Sequence, residues 1–518
     1  MIRNKFLIIL LGATVTLAGC QDDDSAVIPI IDTGKVTSIY PVPPAKWMGE
    51  TNPYYTEGYI GDVMPYYAEG AFHLYFLHDA KTKPSGLGFH DIHEFETTDL
   101  KTYDYKGRMV PYGAVDEPDF GVGTGSVVAV GNQYYFYYTG HNESSPFIQQ
   151  NPRESVLCAV SDDLEHWTKL SDFKLTAPAG YYDYDFRDPH VFYNEADGKY
   201  WMVVSTQTDP ARKAVLLVFT TSDPAGQNWE PTGPLYTTTP EENYLMLECA
   251  DIFEMGGYWY LLFSENWSEA KGTRYRMATS ISGPWIAPDE DHLDGEYMYA
   301  AKTASDGNHR YLFGWAARKS PENNAGGKQW AGNLVTHELV QNADGTLRVS
   351  QPQGVSDAFD TGTSPLLVST TTGVTESGNQ WLFSPADSWA LATFETLGAT
   401  SRMTMDVTPG TTGRTGVILS YDSDTQSGVM FALEPAQNRL AAYMLDNGNR
   451  TLVNYLSFDF MEATYELSLT VNKGVGVIYL NDQVAFTNRI YNTAGKTWAL
   501  FAEEGSATYE QLTLYKPN

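Results

Sequence analysis

The chain has 518 residues and a formal net charge of −31, from 64 acidic and 33 basic side chains. This length exceeds that of one ordinary domain and predicts two. The strong negative charge argues against nucleic acid or an anionic membrane surface as a partner, and it favours a neutral ligand.

The first twenty residues have the pattern of a lipoprotein signal peptide. Arg3 and Lys5 precede an apolar run over residues 6–18, which is too short to span a bilayer as a permanent helix. Leu-Ala-Gly-Cys20 at the end of this run resembles a bacterial lipobox, in which the cysteine becomes the lipidated first residue of the mature protein. We therefore expect lipidation of Cys20 and a membrane contact through that lipid alone.

An acidic run follows Cys20 directly, at residues 21–24. It resembles the tag that sends some Gram-negative lipoproteins to the outer cell surface, although a solvated linker has the same composition. We expect residues 21–40 to be a tether. The expected location is the outer membrane, at the cell surface or facing the periplasm.

Between residues 41 and 352, one short aromatic and aliphatic pattern occurs five times, at intervals of roughly 50 to 65 residues. Each run follows a turn signal and has the composition of a buried strand. A hairpin and core strand repeated in this way predict a five-bladed β-propeller. The runs begin at Phe72, Gln133, Lys199, Tyr258 and Arg310.

From residue 365 to residue 518, short strand patterns alternate with turns, after a boundary at Ser350-Gln-Pro-Gln-Gly. Close spacing and alternation of polar and apolar residues predict a β-sandwich. No long amphipathic helix pattern is present anywhere. The predicted fold class is therefore all-β, a five-bladed propeller followed by a C-terminal sandwich.

Three acidic residues share a register about ten residues upstream of core strands in different blades. Asp62, Asp188 and Glu248 each come at the start of a predicted innermost strand, so they should face one another across the propeller funnel. One acid with a raised pKa, one that stays ionised and one that holds hydroxyl groups suit glycoside hydrolysis. Aspartates that tether blades, or a metal site, are the alternatives. We expect Arg187 to pair with Asp188 and keep it ionised.

Several motifs around these acids resemble those of glycoside hydrolase family 32, the β-fructosidases, and more distantly family 43. Arg187-Asp188-Pro and Glu248-Cys match two family motifs, and the segment Gly-Thr-Gly-Ser126 resembles a third. The resemblance covers roughly residues 40–518 and implies a propeller with a trailing sandwich. It also implies Asp62 as nucleophile, Glu248 as acid/base and Asp188 as transition-state stabiliser.

The family's first motif, Trp-Met-Asn-Asp-Pro-Asn-Gly, is absent here. Asp62 lies instead within Gly-Asp-Val-Met-Pro, while Trp47-Met-Gly-Glu50 resembles the opening letters of the motif. Glu50 is therefore a rival nucleophile. We favour Asp62 because its register matches that of the other two acids. The expected substrate-binding residues are Arg187, Glu50, Trp47 and Ser126.

The predicted activity is retaining cleavage of β-fructosidic bonds in fructans or fructo-oligosaccharides. Two alternatives stay open: a non-catalytic glycan-binding lipoprotein, and a family 43-like inverting arabinan or xylan hydrolase. Carboxyl groups about 5 Å apart would indicate retention, and roughly 6.5–9.5 Å inversion. We expect a monomer with a carbohydrate substrate, no nucleic acid partner, no cofactor and no metal, since His90 and His93 lack a convincing ligand spacing. Cys158 and Cys249 are expected to be buried free thiols.

Overall fold

Nearly every regular element of the structure is a β-strand, which confirms the all-β prediction. The computed structural model describes residues 35–44, 58–81, 86, 88–267, 271–385 and 389–518. Within these ranges, the helical elements are two single turns, α1 (Ser145–Ile148) and α2 (Gln353–Ser356), and a 3-10 turn at Pro435–Gln437. None of the described helices has the length and apolar character needed to cross a bilayer.

The strands from Lys35 to Ser350 form the predicted five-bladed propeller. Blade one contains β1 (Lys35–Thr37), β2 (Gly58–Ala68), β3 (Ala71–Ala80), β4 (Ile92–Thr97) and β5 (Thr102–Val110). Blade two contains β6 (Gly121–Val130), β7 (Gln133–His141), β8 (Glu154–Ser161) and β9 (Thr168–Lys169). Blade three contains β10 (Arg187–Asn194), β11 (Lys199–Gln207), β12 (Ala214–Thr221) and β13 (Glu230–Thr237). Blade four contains β14 (Glu248–Met255), β15 (Tyr258–Glu265) and β16 (Gly272–Ala278). Blade five contains β17 (Met298–Ser305), β18 (Arg310–Ser320), β19 (Gly327–Gln341) and β20 (Leu347–Ser350).

The five repeated runs are the second strands of the blades, β3, β7, β11, β15 and β18. Their side chains fill the apolar layers between neighbouring blades, which explains their aromatic and β-branched composition. The last and first blades join through β19 and β2, where Gly332 lies opposite Ile60. This pairing closes the ring and leaves fewer exposed sheet edges.

Every first strand has a register shift at the same level of the propeller. The shifts lie at Ile60/Val63, Gly123/Gly125, Arg187/His190, Glu248/Asp251 and Tyr299/Lys302. A β-bulge bends a strand and turns a side chain away from the regular alternation. Five bulges at one level therefore direct side chains from all blades toward the axis.

The strands from Leu367 to Tyr515 form two facing seven-stranded antiparallel sheets. One sheet has the order β21 (Leu367–Thr370), β24 (Trp389–Phe394), β33 (Trp498–Glu503), β26 (Arg414–Asp422), β27 (Ser427–Glu434), β28 (Arg439–Asp446) and β29 (Asn449–Ser457). The other has the order β22 (Val374–Ser377), β23 (Gln380–Phe383), β34 (Ala507–Tyr515), β25 (Thr400–Pro409), β30 (Tyr465–Asn472), β31 (Val475–Leu480) and β32 (Val484–Arg489). Apolar side chains from both sheets form one core, as in a β-sandwich.

A buried polar contact fastens the sandwich to blades four and five. The Asp294 carboxylate accepts hydrogen bonds from the backbone N–H and the hydroxyl of Thr487 on β32. His337 on β19 lies 3.0 Å from the same carboxylate and 2.7 Å from the Tyr479 hydroxyl on β31. Because these groups are buried, each depends on the others for its hydrogen bonds.

We expect Asp294→Ala to lower the free energy of unfolding by about 2–4 kcal/mol, since it leaves the partners of a buried carboxylate unsatisfied. Urea denaturation followed by tryptophan fluorescence measures the change. The matched control is Asp289→Ala at an exposed site nearby, where a change within about 0.5 kcal/mol is expected. Equal effects of the two substitutions would contradict the importance of this contact.

Candidate active site

Asp62 lies in the β2 bulge, surrounded by hydrogen-bond donors from three other blades. The Thr124 hydroxyl donates to Asp62 Oδ2 (2.6 Å), and Trp315 Nε1 donates to Oδ1 (2.9 Å). The Cys249 thiol lies 3.7 Å from Oδ2. Burial raises the pKa of Asp62, while the hydrogen bonds from Thr124 and Trp315 act against that rise. The donors thus fix the orientation of the carboxylate and favour its ionised form.

Gly61 allows an indole ring to approach the strand that carries Asp62. A Cβ atom at this position would lie 2.2 Å from the ring of Trp330 on β19. Since real Cβ contacts do not occur at that distance, a larger residue would displace Trp330. The glycine of the Gly-Asp-Val-Met-Pro segment therefore shapes the wall next to the carboxylate.

Asp188 lies in the β10 bulge with a left-handed backbone, at φ 60°. Its N–H donates to the Thr139 hydroxyl (2.9 Å), and its Oδ2 accepts from the backbone N–H of Cys249 (2.8 Å). Burial, followed by the negative charge of Glu248, raises the pKa of Asp188 to about 7. The carboxyl is therefore close to half-protonated near neutral pH.

Glu248 begins β14 and is more exposed than Asp188. The Glu248 side chain is 16 % exposed, whereas Asp188 is 3 % exposed. The Tyr299 hydroxyl donates to Glu248 Oε2 (2.6 Å), and Arg187 Nη1 donates to Oε1 (3.0 Å). These two donors hold the carboxyl group in one orientation at the cavity wall.

The predicted pairing of Arg187 with Asp188 is wrong. The Arg187 guanidinium bonds to Glu154 Oε2 through Nε (2.9 Å), to Asp185 through Nη2 and to Glu248 through Nη1. The β10 bulge, with its left-handed backbone at Asp188, directs this carboxyl toward the Cys249 N–H instead. The charge of Arg187 still acts to lower the pKa of Asp188, but burial outweighs it.

One open cavity of about 340 Å³ brings the three predicted acids and Arg187 together at the axis. Aromatic rings form much of the remaining wall, including Trp267, Trp330 and His90. The His90 and Trp330 rings are stacked, with centroids 4.5 Å apart. Paired carboxyl groups beside flat apolar faces suit a ligand that offers both hydroxyl groups and C–H surfaces, as a sugar does.

Ser126 does not line this cavity. Its hydroxyl donates to the Pro189 carbonyl (3.0 Å) and accepts from the Val191 N–H (2.9 Å), so it links β6 to β10. Thr124, two residues earlier in the same segment, lines the cavity instead. The β6 bulge between Gly123 and Gly125 breaks the regular alternation of side chains, so Thr124 and Ser126 point to different sides of the strand. The predicted hydroxyl of Ser126 is therefore not the one at the cavity.

Trp47, Glu50 and Cys20 lie outside the described residues. Sequence reasoning also missed Tyr299 and Trp315 as partners of the acids, and Glu154 as the partner of Arg187. Tyr299 and Trp315 belong to the blade-five segments that resemble the family, so that resemblance could have identified them as residues of the site. For Glu154, on the third strand of blade two, we find no sequence signal.

The one metal-compatible group found in the described ranges lies elsewhere in blade one. Ligand atoms of His73, Glu94 and Glu96 all lie within 4.8 Å of one another. His73 Nδ1 is 2.7 Å from Glu94, and Lys106 Nζ is 3.2 Å from Glu96. Because Glu94 already pairs with His73 and Glu96 with Lys106, we assign no metal to this group.

Comparisons with known proteins agree with this geometry. Residues 56–351 match the family model "Glycosyl hydrolases family 32 N-terminal domain". A sucrose-6-phosphate hydrolase of Escherichia coli is 27 % identical over 320 residues, which cover 59 % of this chain and 62 % of the relative. A raffinose invertase of Escherichia coli is 26 % identical over 327 residues, covering 60 % and 63 %.

The matched part is thus less than two thirds of the length of each of these relatives. Among solved structures, the sucrose-6-phosphate hydrolase of Lactobacillus gasseri superposes with a TM-score of 0.69 at 17 % identity. That superposition covers 90 % of this chain and 92 % of the other. It shows a shared fold over both domains.

The raised pKa of Asp188 makes stability depend on pH in a defined direction. The folded protein retains this proton up to about pH 7, whereas the ordinary pKa is 3.8. The contribution of the Asp188 proton to the free energy of unfolding is therefore complete below pH 3.8, and it is lost as the pH rises through 7. Asp188→Asn removes this dependence, so the stability of the variant relative to wild type should rise by up to about 4 kcal/mol between pH 4 and pH 8.

Urea denaturation at pH 4, 6 and 8 measures this difference. The exposed Asp183→Asn serves as the control, and its difference from wild type should stay constant over the same range. A pH-independent difference for Asp188→Asn would show that this carboxyl has an ordinary pKa in the folded protein.

Proposed function

Because the chain belongs to glycoside hydrolase family 32, we propose that it is a glycosidase that cleaves β-fructosidic bonds in fructans or fructo-oligosaccharides with retention of configuration. The observation that carries the proposal is the meeting of Asp62, Asp188 and Glu248 in one cavity, each held by its own hydrogen bonds. The names of the relatives, a sucrose-6-phosphate hydrolase and a raffinose invertase, support a fructoside as substrate.

Asp62 is suited to nucleophilic attack. Donors from Thr124 and Trp315 hold its two oxygens, so the carboxylate can approach the anomeric carbon without first reorienting. Attack by one oxygen breaks the glycosidic bond and forms a covalent fructosyl ester. The change in the first family motif leaves Asp62 on the innermost strand, at the same level as the other two acids.

Glu248 is suited to acid/base catalysis. Its carboxyl group reaches the open part of the cavity and donates a proton to the leaving oxygen in the first step. The resulting carboxylate accepts a proton from water in the second step, when the hydroxyl oxygen attacks the ester and releases fructose. Arg187 and Tyr299 keep the group in place for both steps.

Asp188 is suited to holding sugar hydroxyl groups next to the reacting carbon. Its carboxyl is fixed by the Cys249 N–H, and its proximity to Glu248 couples their charges. A hydrogen bond to a ring hydroxyl that strengthens as positive charge develops stabilises the transition state.

We expect Glu248→Gln and Asp62→Asn each to lower kcat by about 10³-fold or more while the fold is retained, because each amide is isosteric but cannot transfer a proton or form the ester. Circular dichroism checks the fold, and fructose release from levan, inulin and sucrose measures the activity. The rival Glu50→Gln should change KM more than kcat. Wild-type turnover by Asp62→Asn together with an inactive Glu50→Gln would reverse the nucleophile assignment.

The stereochemistry of the first product separates the proposal from its alternatives. ¹H NMR during hydrolysis should show the β-anomer before mutarotation, as retention requires. Release of the inverted anomer from arabinan or xylan would support the family 43-like alternative. Binding of glycans without hydrolysis of any of them would support a binding protein.

For the N-terminus, we propose that Cys20 is lipidated and anchors the enzyme to the outer membrane, with the segment after Cys20 as a tether that places it at the cell surface. The predicted end of the tether at residue 40 is wrong, because β1 (Lys35–Thr37) pairs with β5 and Tyr40 is buried in the core. The apolar run before the lipobox and the acidic run after Cys20 support this proposal. Nothing in the catalytic cavity requires the anchor.

Cys20→Ala should abolish incorporation of labelled fatty acid and release the protein from the outer-membrane fraction, with activity unchanged. Fractionation followed by immunoblotting measures the location, and Cys158→Ala is a control at a buried thiol. Retention of Cys20→Ala in the membrane fraction would refute the lipid anchor.

A further inference from the structure

Trp267 presents a large aromatic face at the mouth of the catalytic cavity. It follows β15, and 48 % of it is exposed although it lines the same cavity as Asp62 and Glu248. Its backbone N–H donates to the Glu265 carboxylate, which fixes the start of the loop. About half of the indole is open to the cavity, so this flat surface is available to a ligand.

The ring lies on the side of the cavity where Glu248 acts. The Arg187 guanidinium is 5.8 Å from the centroid of the Trp267 ring, and it donates to Glu248 across 3.0 Å. A general acid must contact the glycosidic oxygen, so the sugar that departs extends past Glu248 and away from Asp62. Trp267 shares its neighbour Arg187 with Glu248, so it lies on the side of the cavity toward which the leaving group extends.

A second exposed ring lies on the neighbouring blade. Tyr184 is 43 % exposed, and the Arg153 guanidinium, which lines the cavity, is 3.6 Å from its centroid. Tyr182 lies beside it, with ring centroids 5.9 Å apart. These two rings lie outside the cavity lining, with Tyr184 against Arg153, so Trp267 is the exposed ring that faces the cavity itself.

The cations beneath these rings are already neutralised. Arg153 pairs with Asp185 (2.6 Å) and Glu154 (3.3 Å), and Arg187 pairs with the same two carboxylates as well as with Glu248. Among the residues described at this mouth, both arginines therefore already have acidic partners. A phosphate group there would lie next to carboxylates, and these arginines could not pair with it alone. Charge repulsion and desolvation would disfavour it.

We propose that Trp267 forms the subsite for the leaving sugar and selects a neutral, unphosphorylated sugar there. This inference rests on the proposed glycosidase activity. The C–H face of a pyranose or furanose ring stacks on the indole, and the bound leaving group holds its glycosidic oxygen against Glu248. Trp267 is a specificity residue, because it contacts the part of the substrate that does not form the covalent ester.

The test compares substrates that differ only in the leaving group. With the full-length enzyme, Trp267→Ala should lower kcat/KM for sucrose and for a short fructo-oligosaccharide by about 10-fold, but for methyl β-D-fructofuranoside by less than about 2-fold. Trp267→Phe should retain most of the wild-type value, since it keeps a flat ring. The matched control is Tyr193→Ala, an exposed aromatic residue (50 %) that does not line the cavity, and it should leave all values unchanged.

The charge part of the proposal is tested on the wild-type enzyme with sucrose and sucrose 6-phosphate. We expect kcat/KM for the phosphorylated sugar to be at least about 10-fold lower. A preference for the phosphorylated sugar would overturn selection of a neutral leaving group. An equal loss by Trp267→Ala on the methyl fructoside and on sucrose would overturn the stacking role. No hydrolysis of any of these substrates by the wild-type enzyme would overturn the proposed function and this inference together.

Discussion

Three carboxyl groups share one small cavity on the propeller axis, and their mutual repulsion is the constraint that the surrounding structure has to satisfy. Each acid has separate donors: Thr124 and Trp315 for Asp62, a backbone N–H for Asp188, and Tyr299 with Arg187 for Glu248. Because the donors come from different blades, no single blade could hold this charge arrangement. The closed ring of blades therefore determines which hydrogen-bond donors each acid has, and with them how its charge is stabilised.

Buried cations complete this balance on two sides of the cavity. Arg187 lies at the wall, held by Glu154 and Asp185. Burial acts to lower the pKa of Arg187, but the negative charges of Glu154 and Glu248 outweigh burial and keep the guanidinium charged. Lys302 is 2 % exposed on the first strand of blade five and donates to the Gly125 carbonyl (3.1 Å). Burial lowers the pKa of Lys302, whereas the nearby carboxylates act to raise it. The network of charges therefore extends from the mouth of the cavity into the propeller axis.

The β-bulges connect this chemistry to the fold. A regular strand would direct Arg187 and Asp188 to opposite faces and would leave one of them in a core between blades. The bulge in β10, with Asp188 at φ 60°, allows Arg187 to reach Glu248 while Asp188 reaches Cys249. Left-handed backbone at a non-glycine residue costs free energy, and the packed blades on either side maintain it. The sandwich stabilises blades four and five from outside through Asp294 and Thr487, so that it supports the ring without lining the cavity.

The sequence by itself determined the fold class and the set of acids. Repetition of the core strands predicted five blades, since their composition responds only to local burial, and the shared register of Asp62, Asp188 and Glu248 predicted that they would meet. It did not determine which groups they contact. The Arg187 partner was wrong and Thr124 was missed in favour of Ser126, because a bulge shifts the side-chain alternation by one residue and leaves no mark in the composition. Tyr299 and Trp315 donate to acids on other blades, and Glu154 accepts from Arg187 on the next blade, at separations along the chain that no local pattern encodes. Packing of the blades around one axis brought these residues within hydrogen-bonding distance, and only the tertiary structure therefore decided how the charge of each acid is held.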